Sequence, residues 1–225
     1  MRSFLSVLLP PFCIQCGFIG VYICSTCLKN ISVIKTNKCF YCGKGSALGL
    51  THIICKKRWG VDGAISFYKY NNTFRKILIT AKYQKAHRVL FHLLFSINPT
   101  LYTTIWKWTG LFSPIITAVP LHPQREQERG FNQSEIVAKH LAGILKCEYK
   151  PLLKREKNTQ HLANISDKQK RKRATKGAFS FIETTKLDSV IIVDDVITSG
   201  ATINECAATL KDNGVRNVLA FSLAK

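Results

Sequence analysis

The sequence predicts an α/β protein, in which a parallel sheet is flanked by helices, with a small cysteine-rich zinc module before it. Two apolar runs, at 115–119 and 190–194, are each followed by a helix-like segment, and strand–helix alternation of this kind produces a parallel sheet. Three Cys-x-x-Cys pairs crowd into the N-terminal part of the chain, which is typical of zinc binding. We therefore expect two units, a cysteine module over residues 1–60 and an α/β domain over residues 61–225.

The remaining elements of the α/β domain follow from local pattern. In chain order they are a strand at 61–68, a helix from Asn71 or Thr73 to about Tyr83, a helix at 85–96, an irregular segment at 98–113 and a last strand at 218–223. Asn132 is expected to cap the helix at 132–145, because its side-chain oxygen can accept a hydrogen bond from a free backbone N–H group there. Gly214 lies just past the helix at 201–212 and is expected to end it.

The segment from Val190 to Thr202 carries the strongest functional signal. A strand buried on both faces is expected first, and Asp194 and Asp195 follow at its carboxyl end, where open α/β sheets bind ligands. A small polar turn then leads into a helix, whose first backbone N–H groups have no partner within the helix and suit a phosphate. The residues of this polar turn are Thr198, Ser199, Gly200, Ala201 and Thr202. The alternative is an acid pair that merely caps a strand; a Walker A loop is excluded, because no Gly-Lys-Ser/Thr follows.

These thirteen residues resemble the phosphoribosyl-pyrophosphate signature of type I phosphoribosyltransferases. The resemblance implies that the two acids bind the ribose 2- and 3-hydroxyls, that the turn holds the 5-phosphate, and that Mg²⁺ accompanies phosphoribosyl pyrophosphate (PRPP). The implied ligand-binding residues are Val119, Pro120, Asp194, Asp195, Val196, Thr198, Ser199, Gly200, Ala201 and Thr202.

A second motif follows the strand at 115–119. It reads Val-Pro-Leu-His over 119–122 and Arg-Gly-Phe-Asn-Gln over 129–133, and together with the cysteine pairs it resembles the ComF-type competence proteins. The likeness covers nearly the whole chain and continues at Leu153, Arg155, 160–162 and 177–179. The chain departs from the family at Ala174, where Asn is usual, and in a shortened segment around Thr159.

The resemblance assigns two arginines to the site. Val119 and Pro120 match the turn that contacts pyrophosphate, and Arg125 and Arg129 lie in a mobile segment that would close over the ligand. Cationic donors stabilise the negative charge that develops on a leaving pyrophosphate. The implied catalytic residues are Asp194, Asp195, Arg125 and Arg129. The alternative for the arginines is a solvated basic loop, since acidic residues are interleaved with them.

Seven of the nine cysteines lie before residue 56. The first expected metal site is the complete set of Cys13, Cys16, Cys24 and Cys27. The second contains Cys39, Cys42 and Cys55, with Arg58 at the place where the ComF family usually carries a fourth cysteine. His52 is a possible substitute, loss of the second metal is another reading, and cross-pairing between the sets is also open. The zinc is expected to be structural, because a module of this size forms little core unaided.

A disulfide framework in a secreted protein is the competing interpretation of the cysteines. The apolar run from Phe4 to Leu9 is short and is ended by Pro10 and Pro11, which argues against an export signal. No run reaches the roughly 18–20 apolar residues of a membrane span. We therefore expect a soluble, cytoplasmic protein in which Cys147 and Cys206 are thiols rather than ligands.

The charge predicts a polyanionic partner. Lys and Arg number 33 against 13 Asp and Glu, a formal net charge of +20, which favours nucleic acid first and an anionic membrane surface second. Basic residues beside aromatic ones are typical of single-stranded nucleic acid binding. The expected DNA-binding residues are Lys56, Lys57, Arg58, Lys170, Arg171, Lys172 and Arg173.

Two functions follow from these readings. The first, implied by the ComF resemblance, is a competence protein of natural transformation that binds incoming single-stranded DNA and PRPP, with other DNA-uptake proteins as further partners. The second is an active phosphoribosyltransferase that transfers ribose 5-phosphate to a nucleobase or amine and has no DNA role.

Overall fold

A four-stranded parallel sheet forms the centre of the α/β domain in this computed structural model, which describes residues 10–83, 86–95, 97, 99–158 and 173–225. The strands are β1 (Gly63–Tyr68), β2 (Ile115–Ala118), β3 (Leu153–Arg155), β4 (Phe179–Phe181), β5 (Ser189–Val196) and β6 (Asn217–Ala224). The sheet order is β1–β6–β5–β2, and β3 and β4 form a separate antiparallel pair.

Helices cover both faces of the sheet. They are α1 (Ser25–Lys29), α2 (Asn72–Tyr83), α3 (Ala86–Phe95), α4 (Pro99–Phe112), α5 (Pro123–Arg129), α6 (Gln133–Leu145) and α7 (Ala201–Asp212), with short 3-10 turns at Ala47–Gly49 and Ile53–Cys55. The predicted parallel sheet flanked by helices is confirmed. In the described part of the chain, no helix is long and apolar enough to cross a membrane.

The sheet is buried on both sides because neighbouring residues of each strand point to opposite faces. Ile191 of β5 and Phe221 of β6 belong to one core, on the four-helix face, which α2, α3, α4 and α6 cover. Val190 and Val218, which pair in register, belong to a second core on the α7 face, which α7 and the β3–β4 pair cover.

Most boundaries fall close to their predicted places. The Asn71 side chain accepts a hydrogen bond from Phe74 N at 2.9 Å, so Asn71, rather than Thr73, caps α2. Asn132 accepts from Ser134 N at 3.0 Å and caps α6 as predicted. Gly214 follows α7 in the left-handed region, with φ of +90°, which confirms its role in ending that helix.

The irregular segment predicted at 98–113 is wrong, because α4 occupies it. Threonines and tryptophans there have weak intrinsic helix propensity. Trp108 nevertheless lies fully buried in the core of the four-helix face, and its Nε1 donates to the Leu48 carbonyl at 3.0 Å. Burial of this large ring outweighs local propensity, an effect that local pattern does not reveal.

The cysteine module packs against β1, the edge strand of the sheet. Ile34 N donates to Phe67 O at 2.7 Å, and isolated bridges join Val33 to Tyr68 and Leu50 to Gly63. The module and the domain therefore share backbone hydrogen bonds, and the division at residue 60 stays a prediction.

Candidate functional site

The carboxyl ends of β2 and β5 lie side by side. Val119 N donates to Val193 O at 2.9 Å, which continues the strand pairing one residue beyond β2. Asn132 Nδ2 donates to Val119 O at 3.0 Å and so ties this turn to the start of α6. The geometry brings Val119 and Pro120 next to the edge of the sheet near which Asp194 and Asp195 lie, in the last residues of β5.

Ser134, which the sequence analysis did not single out, anchors the acid pair. Its Oγ donates to Asp194 Oδ1 at 3.0 Å and accepts from Asp195 N at 3.2 Å. Asp195 N also donates to Asp194 Oδ1 at 2.9 Å. Burial raises the pKa of Asp194 to about 8, and the neighbouring Asp195 carboxylate raises it too, against the lowering effect of the Ser134 hydrogen bond. Asp194 is therefore the acid of the pair that is more readily protonated near neutral pH.

The turn after β5 leads directly into α7. Ile197 N donates to Ala224 O at 2.9 Å and fixes the point where the chain leaves the sheet. Gly200 has φ of +75° and forms the N-terminal cap of α7, a backbone conformation that glycine adopts without strain. Ser199 Oγ accepts from Ala201 N at 3.4 Å, while Thr198 is exposed. The first turn of α7 thus follows the acid pair within a few residues, the place where an anion would meet the positive end of the helix.

The two predicted arginines lie on α5, a short helix, and not on the solvated basic loop that was the alternative reading for them. His122 caps its start through Nδ1, which accepts from Gln124 N at 3.3 Å, and Gly130 ends it with φ of +75°. Arg125 and Arg129 are half-buried. Among the described residues neither forms a salt bridge, so their charges remain available for an anion.

Arg155 is a third cation of this region. It ends β3 and is only 7% exposed, and its guanidinium lies 5.4 Å from the Phe179 ring centroid. Burial and the positive charge of Arg125 lower the pKa of Arg155, and the negative charge of Asp194 opposes them. Arg155 thus interacts electrostatically with Arg125 and Asp194, two of the predicted site residues. The sequence alone suggested no role for Arg155.

The first cysteine set forms one cluster. The sulfurs of Cys13, Cys16, Cys24 and Cys27 all lie within 4.8 Å of one another. Burial of Cys13 raises the pKa of its thiol, but the backbone N–H groups around it outweigh burial and bring the pKa to about 6. Because the thiolate is the form that binds metal, this cluster can hold a tetrahedral ion such as zinc.

The second cluster contains the histidine that the sequence left as one option. Ligand atoms of Cys39, Cys42, His52 and Cys55 lie within 4.8 Å of one another, with Cys42 Sγ 3.4 Å from His52 Nδ1. The other ring nitrogen, His52 Nε2, lies 3.0 Å from Gly45 O, which leaves Nδ1 for a metal. The structure therefore favours two separate clusters over cross-pairing, with His52 as the fourth ligand of the second. Burial also raises the pKa of Cys39, but backbone hydrogen bonds prevail and bring it to about 6.

Several bacterial proteins are similar in sequence to this chain. No protein-family model matches the chain. It is 36% identical over 123 residues to the DNA utilization protein YhgH of Escherichia coli strain K12, a match covering 53% of each chain. It is 33% identical over 114 residues to competence protein F of Haemophilus influenzae, covering 49% of each. Competence protein ComFC of Bacillus subtilis is 24% identical over 220 residues, covering 90% of this chain and 84% of the relative. The predicted resemblance to the ComF family is confirmed.

The chain spans about half the length of the YhgH and competence protein F relatives it matches. The longer match to ComFC includes most of this chain, and so extends the ComF-type likeness over both the cysteine module and the α/β domain.

The structure describes only some of the predicted DNA-binding residues. Lys56, Lys57 and Arg58 follow Cys55 on the surface, where Lys57 Nζ lies 4.7 Å from the Tyr41 ring centroid and Arg58 lies 4.6 Å from that of Trp59. Arg173 is exposed as well, whereas Lys170, Arg171 and Lys172 lie outside the described residues.

Proposed function

We propose that this chain is a competence protein of natural transformation that binds incoming single-stranded DNA and holds PRPP with Mg²⁺ in its α/β domain. The names of the relatives, competence protein F, ComFC and DNA utilization protein, support the DNA role. The acid pair directly before the Gly200 turn is the single observation that carries the PRPP role.

The proposed PRPP site uses groups that suit each part of the ligand. Asp194 and Asp195 accept hydrogen bonds from the ribose hydroxyls, and the first turn of α7 with the hydroxyls of Ser199 and Thr202 holds the 5-phosphate. Val119 and Pro120 lie beside the pyrophosphate.

The carboxylates also fit Mg²⁺, which prefers hard oxygen ligands and binds through one or two carboxylates together with substrate phosphates. When bound, the ion neutralises the charge of the pyrophosphate. Arg125 lies in a position to contribute a further positive charge.

Titration calorimetry tests this half of the proposal. PRPP with Mg²⁺ is expected to bind, ribose 5-phosphate alone to bind more weakly, and pyrophosphate alone more weakly still, because each fragment lacks part of the site. Absence of any heat with PRPP, in protein shown to be folded, would contradict the PRPP role.

The DNA role is supported by the net charge of +20 and by exposed Lys56 and Arg58 beside Trp59. Cations follow the phosphates while exposed rings stack with bases. Labelled single-stranded DNA titrated at several salt concentrations is expected to bind with a negative slope of log affinity against log salt. Absence of binding near physiological salt, or a flat salt dependence, would reject this role.

The cations of the site favour a second candidate, an active phosphoribosyltransferase. Arg155 interacts electrostatically with both Arg125 and Asp194, and positive charge at this place would stabilise a departing pyrophosphate. Ribose C1 would lose the pyrophosphate, pass through an oxocarbenium-like state and bond to the nitrogen of a nucleobase or amine. An assay of pyrophosphate release with a panel of bases and amines decides between an enzyme and a binding protein. If PRPP binds but no acceptor causes pyrophosphate release, a binding role is favoured.

A further inference from the structure

The loop between two cysteines of the second cluster rests directly on the Gly200 turn. A Cβ atom added to Gly200 would lie 2.5 Å from Phe40 Cζ and 3.2 Å from Phe40 Cε1. The ring therefore occupies the space that any side chain at position 200 would need. Only glycine allows this approach, and the contact leaves the turn no room to move toward the ring.

A chain of hydrogen bonds reaches the same turn from the neighbouring residue. Val61 N donates to Tyr41 Oη at 3.0 Å, and the Tyr41 hydroxyl donates to Asn204 Oδ1 at 2.8 Å. Asn204 Nδ2 then donates to Gly200 O at 2.9 Å. The chain thus runs from the cysteine module through one side chain of α7 to the backbone carbonyl of the turn.

Both aromatic residues are held by the second cluster. Phe40 and Tyr41 are the two residues between the ligands Cys39 and Cys42, so a bound ion fixes the backbone on either side of them. Lys57, two residues after the ligand Cys55, places its ammonium group 4.7 Å from the Tyr41 ring centroid. Lys225 Nζ lies 4.8 Å from the Phe40 ring centroid. A metal bound by this cluster would therefore constrain the backbone that carries both rings.

We propose that Phe40 and Tyr41 are positioning residues, which hold the Gly200 turn in the shape that binds a sugar phosphate, and that the metal of the second cluster keeps them in place. This inference rests on the proposed phosphosugar site. It assigns the second cluster a task that the first does not share, the support of an anion-binding turn.

Hydrogen exchange of the ligand-free protein tests the contact without any ligand. Tyr41→Phe removes the hydroxyl and keeps the ring. It is expected to raise amide exchange over residues 199–203 by about threefold to tenfold, because one hydrogen bond stabilises by about 0.5–1.5 kcal/mol. Tyr102→Phe is the control, since it also removes a tyrosine hydroxyl, one that donates to Leu94 O at 3.2 Å and does not reach the turn. Equal exchange over 199–203 in the two variants would overturn the inference.

PRPP affinity measured with Mg²⁺ provides the second arm. Tyr41→Phe is expected to weaken binding by about threefold to tenfold and Tyr102→Phe to leave it unchanged, while both lower the melting temperature similarly. Asn204→Ala breaks the same chain, so the double variant with Tyr41→Phe is expected to bind no worse than Asn204→Ala alone. Additive losses would show that the residues act separately and would overturn the proposed chain. If the wild type does not bind PRPP, the proposed function is wrong. The hydrogen-exchange experiment still tests whether Tyr41 supports the Gly200 turn.

Loss of one metal ligand from each cluster provides the third arm. Cys16 and Cys42 are both exposed and both precede a glycine, so Cys16→Ser and Cys42→Ser form a matched pair. With bound zinc quantified in each, only Cys42→Ser is expected to raise exchange over residues 199–203. Equal protection of this segment in both variants would overturn the role of the second metal, and Tyr41→Phe remains a test if Cys42→Ser does not fold.

Discussion

Each of the two clusters is built from two ligand pairs with two residues between the members of a pair, but the clusters lie against opposite faces of the sheet. Cys13, Cys24 and Cys27 of the first cluster belong to the core of the four-helix face. Phe40 and Tyr41, which the second cluster holds, pack into the core of the α7 face, beside the turn that follows the acid pair. The cysteine module therefore packs on both sides of the edge strand β1.

This difference shows that a repeated motif need not have a repeated role. The cysteines of the first cluster lie within a core, so a metal bound there would support folding. The second cluster lies next to the candidate ligand edge, so we expect a metal bound there to help position the backbone of the Gly200 turn as well. Deletion of the module is consequently a poor way to separate DNA binding from PRPP binding, because residues of both cores would be lost with it.

The largest expected effect is on the first cluster. Cys13→Ser removes a ligand that is 3% exposed within the larger core, and is expected to cost several kcal/mol of folding free energy and to lower the zinc content. Thermal unfolding with zinc quantification measures both. Cys16→Ser, at an exposed ligand, is the control and is expected to cost less. A Cys13→Ser protein with wild-type stability would show that the first cluster does not support the fold.

The next effect separates the ligand edge from both clusters. Asp194→Asn combined with Asp195→Asn is expected to weaken PRPP binding by about 100-fold or more, because it removes the charged hydrogen-bond acceptors for the ribose hydroxyls. Calorimetry with Mg²⁺ measures the loss.

Single-stranded DNA affinity and zinc content of this double variant are expected to stay within about twofold of the wild type. A parallel loss of DNA binding would mean that the acid pair and the basic surface do not act separately.

A smaller effect tests whether the second cluster also carries the DNA surface. Lys56→Glu with Arg58→Glu reverses two exposed charges beside the second cluster, while Lys57 is left to cover Tyr41. The slope of log affinity against log salt is negative, and its magnitude is expected to decrease by about 1 to 1.5, since each single-strand phosphate contact contributes about 0.7.

Lys29→Glu with Lys35→Glu makes the same change in charge at exposed positions outside the second cluster. If this control lowers the slope equally, DNA binding depends on net charge rather than on the surface at Lys56 and Arg58.

The sequence predicted the parts of this site that depend on local spacing. The two members of each cysteine pair are only a few positions apart, and so are the acid pair and the polar turn after it. The chemistry of each motif follows from its residue types. Ser134 was missed because its contact with Asp194 joins residues 60 positions apart, and nothing around it distinguishes it from other serines near a helix start.

Long-range packing explains the other omissions. Phe40 meets Gly200 across 160 positions, and the sequence showed only a glycine in a turn and an aromatic residue in a metal loop. His52 was one of several options, because a single histidine near three cysteines does not reveal which ring nitrogen faces them. Such contacts follow from how β1, β5 and the module are placed in the fold, which local pattern does not specify.

The smallest effect concerns the acid pair in the absence of ligand. The pKa of Asp194 rises from 3.8 to about 8 on folding, with burial as the main cause, so between these values the native state holds a proton that the unfolded state has lost. The contribution of Asp194 to stability is therefore present at low pH and is lost as pH rises toward 8. Asp194→Asn has no such charge to bury, and its stability relative to the wild type should increase over this range.

The gain is expected to grow through this range and to level off near pH 8, above which Asp194 of the wild type is ionised in both the native and the unfolded state. Chemical denaturation of both proteins from pH 5 to pH 9 measures it. Ser134→Ala removes the hydrogen bond that lowers the pKa of Asp194, so the pH at which the gap levels off should move upward in that background. A stability difference that stays constant from pH 5 to pH 9 would mean that Asp194 is ionised throughout, and that the ligand edge carries its full negative charge before any cation or sugar arrives.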